Sequence, residues 1–147
     1  MRNGLIYHML LVGHVTMAIA GFIVSGGLAI AAWRQRGKAA FSPQFWRWQT
    51  LVQIITVLLG AFGLGLFLIG SRPKVIWHLL YGALALLTVL MQRAVGTDGA
   101  ILAGMSAGGQ EAAQALEPRR LAWVVFGLNI FLWAMYGRGL STGFFGV

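Results

Sequence analysis

Apolar residues fill four long runs, and polar or glycine-rich breaks separate them. The first run extends from Leu5 to Trp33 and stops at Arg34-Gln35-Arg36-Gly37-Lys38. Met1-Arg2-Asn3 in front of it and Ala18-Ile19-Ala20 within it resemble a signal peptide, but the run is too long for one and long enough to span a bilayer. At about 1.5 Å per residue it outreaches the hydrocarbon layer, so helix 1 (5–33) is expected to tilt or to project on one side. A linker from Ala39 to Gln44 contains Pro43, and Phe45-Trp46-Arg47-Trp48 then opens a second run, predicting helix 2 over 46–69. Gly70-Ser71-Arg72-Pro73 reads as a turn with its proline suited to the first position of helix 3, predicted over 73–92. Helix 4 is expected over 119–136, followed by Arg138 and a glycine-rich tail. Between helices 3 and 4, residues 94–118 hold Asp98, Glu111 and Glu117 among many glycines. Repeated glycines disfavour a further crossing, so this stretch is expected to be a cytoplasmic loop with a short interfacial helix near Gln110 to Leu116. The fold class that follows is all-α: a polytopic membrane protein, one domain over 1–147, built as a four-transmembrane-helix bundle.

Composition agrees and narrows the function classes. Of the residues 59% are hydrophobic and 10% charged, with mean hydropathy +0.78, outside the range of ordinary soluble domains. The net charge of +8 suggests nucleic acid at first sight. The basic residues sit at the ends of apolar runs, however, where they act as topology signals, and no nucleic-acid partner is expected. Arg34, Arg36, Lys38, Arg47, Arg93, Arg119 and Arg120 fall on one side, against Arg2, Arg72, Lys74 and Arg138 on the other. The positive-inside rule makes the first side cytoplasmic and places both termini outside. The chain has no cysteine, which excludes disulfides, thiolate metal sites and covalent haem attachment through a cysteine pair.

The candidate chemistry lies in three histidines, His8 and His14 on helix 1 and His78 on helix 3. An ionisable side chain within a membrane span is costly unless something binds it. An iron, a proton, a quinone or a neighbouring carbonyl each meets that need. Counting inward from Leu5 and Pro73 puts His14 about 6 Å deeper than His78, whereas counting outward from Arg34 and Arg93 puts it about 7 Å shallower. The two counts bracket equal depth, toward the outer side, with His8 nearer water. Neutral imidazoles on two helices at one level supply the axial ligands of a b-type haem, and a four-helix bundle provides the slot. Small neighbours stand on the same faces: Ala18, Gly21 and Ser25 by His14, Gly82 and Ala85 by His78, with Gly60 and Gly63 on helix 2. Stripes of small residues also serve ordinary helix packing, so they fit either a cofactor slot or close contact.

Helix 2 carries Gln49, Gln53, Thr56, Gly60 and Gly63 on one stripe. Interhelical hydrogen bonding is the favoured reading of that stripe, with a quinone or proton site, accompanied by Gln92 and Asn129, as the alternative. No carboxylate falls within a predicted span, which argues against an Asp- or Glu-based proton relay. Scattered methionines read as space-filling. Most tryptophans flank span ends, while Trp77 and Tyr81 are also placed to shield a group on His78. Neither a nucleophile–base pair nor a phosphate loop is present, and independent catalytic activity is not expected.

Tyr7-His8 through His14, Trp48-Gln49 to Gln53 with Gly60, and Trp77-His78-Leu79-Leu80-Tyr81-Gly82 resemble the pattern of small four-helix bacterial membrane proteins related to b-type cytochromes. That resemblance covers most of the four spans. It implies haem ligation by histidines on different helices, which maps onto His14 and His78. The chain departs from the four-histidine, two-haem arrangement, so one haem b is the upper expectation. The expected function is an electron-transfer protein, or a subunit of a respiratory or photosynthetic complex, in the bacterial inner membrane. Its expected partners are the lipid bilayer and other membrane or periplasmic redox subunits. The candidate site is His14 and His78 on the iron, with Gly21 and Gly82 beside the cofactor. The competing readings are a cofactor-free accessory subunit of a larger membrane complex and a small transporter or metal-handling protein.

Overall fold

A computed structural model describes residues 2–37, 41–96 and 118–145. Its helices are α1 (Arg2–Gln35), α2 (Pro43–Leu68), α3 (Trp77–Val95) and α4 (Pro118–Phe144). All four are long and apolar enough to cross a membrane.

The helix boundaries differ from expectation in three informative places. Ser42 caps α2, its hydroxyl accepting from the Phe45 amide at 3.2 Å, and Pro43 takes the opening position of that helix. The favoured setting for an N-terminal proline is thus realised at Pro43 and not at Pro73. Instead α3 begins at Trp77, after a turn in which the His78 and Leu79 amides donate to Val75 and Ile76 carbonyls. At the end of α2 the chain turns through Gly70, whose φ of +90° suits glycine. The third difference is at the C-terminus, where α4 runs on through the glycine-rich segment to Phe144. Interior glycine costs about 1 kcal/mol of helix propensity. An unpaired backbone group in hydrocarbon costs several. Ser141 and Thr142 also bond back to the Arg138 carbonyl, at 3.0 and 2.8 Å. Of the connection expected at 94–118, only 94–96 and 118 are described; Asp98, Glu111, Glu117 and the expected interfacial helix lie outside the described residues.

The helices form a ring. α1 packs along both α2 and α4, α3 packs along α4, and α2 touches α3 more sparingly. Thus α1 faces α3 across one diagonal and α2 faces α4 across the other, and neither diagonal pair approaches at the backbone.

Polarity is inverted relative to a soluble bundle. Ser25, Gln49, Gln53, Thr56, Thr88, Gln92, Asn129 and Thr142 are buried, while Leu5, Val12, Ile23, Leu68, Leu90 and many other large apolar side chains are exposed. In water such a surface would be an extensive aggregation site. In lipid it is the solvent-matched side, and the polar groups find partners inside. The protein is a multi-pass membrane protein with a four-helix bundle.

Candidate functional site: an imidazole pair across the bundle

Since the diagonal helices do not touch at the backbone, side chains must bridge them. On the α1–α3 diagonal, His14 and His78 face each other with ring centroids 5.9 Å apart and planes inclined at 52°. On the α2–α4 diagonal, the Tyr136 hydroxyl meets the Thr56 hydroxyl at 2.7 Å, and Asn129 Nδ2 donates to Gln49 Oε1 at 2.8 Å. From Thr142 to Tyr136 and from Tyr136 to Asn129 the rise along α4 is about 10 Å each. The bridges therefore form three levels: imidazoles at one end, hydroxyls in the middle and carboxamides beyond.

Each imidazole is held through Nδ1. His14 Nδ1 lies 3.1 Å from the Leu59 carbonyl oxygen, which can only accept, so Nδ1 carries the proton. His78 Nδ1 lies 3.1 Å from Thr142 Oγ1. The single hydroxyl hydrogen of Thr142 is directed at the Arg138 carbonyl, 2.8 Å away, so His78 Nδ1 is again the donor. Both neutral rings then carry their lone pair on Nε2, which makes no hydrogen bond among the described residues. An acceptor on Nδ1 fixes the tautomer and orientation of each ring, as it also does in histidines that bind metals.

Two glycines form a cradle for the pair. A Cβ at Gly63 on α2 would stand 3.1 Å from His14 Cε1, and one at Gly143 on α4 would stand 3.4 Å from His78 Cε1. Both imidazoles are half-buried. No group of three or more His, Cys, Asp or Glu side chains gathers among the described residues. The imidazole donors brought together among the described residues are therefore a pair.

The other expected site residues are placed differently. Gly21 is buried, and the space over it is taken by the Tyr136 ring, whose Cζ and hydroxyl would collide with any Cβ there. It is a packing notch for a neighbouring helix and is not left open to a cofactor. Gly82 is exposed, with nothing within 4 Å of where its Cβ would stand. Gly60 faces Leu86. His8 is exposed and packs edge-on to Tyr7, with centroids 5.6 Å apart. Sequence reasoning missed Thr142, Gly143 and Tyr136 as partners of the site. A Thr and a Gly at helical spacing beyond Arg138 were the available signal, hidden by reading that segment as a tail.

Tyr136 occupies the level below the imidazoles. The Thr56 hydroxyl donates to the Val52 carbonyl at 2.7 Å, so Tyr136 donates to Thr56. Tyr136→Phe is expected to lower stability by about 0.6–1.7 kcal/mol, the range for interhelical hydrogen bonds in membranes. Thermal unfolding in detergent measures this, and Thr56→Val added to Tyr136→Phe should cost little more.

The fold and site together define a class: a multi-pass helical membrane protein carrying a facing, outwardly supported imidazole pair. Comparison with known proteins adds no relative, since no family model, no curated protein and no solved structure matches the chain.

Proposed function

We propose that this protein binds one b-type haem between His14 and His78 and serves electron transfer, alone or as a subunit of a respiratory or photosynthetic complex. The observation that carries the reading is the facing pair itself: two imidazoles 5.9 Å apart on diagonal helices, each anchored at Nδ1 with Nε2 left free. A bound haem supplies a reversible one-electron carrier. The chain's part is to hold and tune it. The Leu59 carbonyl and the Thr142 hydroxyl orient the rings and raise the basicity of Nε2. Gly63 and Gly143 keep the ring flanks free of side chains.

The excess of arginine and lysine at the ends formed by Arg34, Arg36, Arg47, Arg93, Arg119 and Arg120 supports a cytoplasmic assignment for those ends. The haem then lies toward the outer side of a bacterial inner membrane, with both termini outside. That position suits exchange of electrons with a membrane or periplasmic redox partner.

One observation favours a second reading, a cofactor-free accessory subunit. The bonds from His14 to Leu59 and from His78 to Thr142 tie α1 to α2 and α3 to α4, so both histidines have a partner without any cofactor. Spectroscopy separates the two. Protein produced with ample haem and purified in mild detergent should show Soret and α bands in its reduced-minus-oxidised spectrum. A featureless spectrum would overturn the cytochrome reading and leave the accessory role.

A further inference from the structure

The carboxamide level, on the far side of Tyr136 from the imidazoles, poses a separate problem. Gln49, Gln53, Gln92 and Asn129 are 4%, 6%, 6% and 0% exposed. Gln49 Nε2, Gln53 Oε1, both polar atoms of Gln92, and Asn129 Oδ1 have no hydrogen-bond partner among the described residues. Turning the amides around does not remove the deficit. Asn129 Nδ2 is fixed as a donor by the Val125 carbonyl at 2.9 Å, which makes the Gln49 atom facing it, at 2.8 Å, the acceptor oxygen. Gln92 lacks partners at either end, so its orientation is immaterial.

These groups lie within about one helical turn of one another in depth. The antiparallel register that sets His78 beside Thr142 places Gln92 level with Leu128 and Asn129, fourteen residues along each helix. Asn129 in turn bonds Gln49, and Gln53 is one turn further along α2. Three helices thus direct unpaired donors and acceptors into one zone, and no Asp, Glu, Lys or Arg is buried there among the described residues.

An occupant must therefore be neutral and must both donate and accept. Water meets the requirement, makes about three hydrogen bonds per molecule in buried sites, and about two molecules suffice for the atoms left over. Apolar lipid cannot supply those bonds. We propose that Gln49, Gln53, Gln92 and Asn129 enclose an ordered water cluster in the inner half of the bundle, a hydration site distinct from the imidazole pair. The polar level lies within the membrane spans, and the Tyr136–Thr56 bridge bounds it on the imidazole side.

The test uses the full chain in lipid nanodiscs with the side-chain amides of Gln and Asn labelled with nitrogen-15. Magnetisation transfer from water to the Gln49 and Gln92 side-chain NH₂ groups is expected, and it should persist in His14→Ala, which leaves this level untouched. Gln92→Leu gives an independent readout with opposite signs for the two cases. In a hydrated chamber it strands the waters and lowers the unfolding temperature by a few degrees. In a dry one it removes two orphaned atoms and raises it. Absence of water transfer at both side chains, a raised unfolding temperature for Gln92→Leu, or a stoichiometric organic molecule in a solvent extract of the protein would each overturn the proposal.

Discussion

Replacing either His14 or His78 by alanine is expected to abolish or shift the haem absorption of the purified protein, whereas His8→Ala leaves the spectrum unchanged. The asymmetry follows from where the three rings stand. His14 and His78 face each other at 5.9 Å, each with Nδ1 occupied and Nε2 available. His8 is exposed and rests against Tyr7. If the proposed haem is bound, removing one imidazole of the pair would take away half of its protein ligands. The opposite pattern, with His8 essential and His78 dispensable, would refute the ligand assignment. Thr142→Val makes a graded companion. It removes the acceptor for His78 Nδ1 without touching a ligand, and haem retention should fall by up to about 10–100-fold, as for other partners that orient a ligand.

A second large effect is expected at Gly21, for a reason unrelated to the cofactor. The Tyr136 ring lies directly where a Cβ would project, and Tyr136 is only 3% exposed and anchored to Thr56. The ring therefore has little freedom to withdraw. Gly21→Leu must either part α1 from α4 or expel Tyr136 and break its hydrogen bond. Overpacking of this kind costs about 1–3 kcal/mol and sometimes more. The measurement is thermal unfolding in detergent, and pairing the change with Tyr136→Ala should restore much of the loss by vacating the notch. If Gly21→Leu leaves stability intact but removes haem, Gly21 lines the cofactor after all.

The four membrane-spanning helices among the described residues were legible because apolar runs of spanning length have few other uses. Equal depth for His14 and His78 was legible as well, since the helical rise converts residue counts from two ends into a bracket. Which helices would be neighbours was not. Gly21 shows why: a small residue on a helix face announces close approach, but a tyrosine from α4 and a cofactor leave the same sequence mark. Gly63 bears that mark too and sits against His14 instead. The end of α4 was misjudged because propensities measured in water penalise its glycines, whereas hydrocarbon penalises an unpaired backbone more. Thr142 and Gly143 were hidden by that misjudgement, and with them the support for His78.

Whether two imidazoles of this chain bind iron tests the central claim most directly. The low-temperature electron paramagnetic resonance spectrum of the oxidised protein, loaded with haem at one per chain, reports whether two imidazoles bind. Facing His14 and His78 predict a low-spin ferric signal that becomes high-spin in His78→Ala. A high-spin signal from the unaltered protein, or a low-spin signal that survives loss of either histidine, would contradict the assignment.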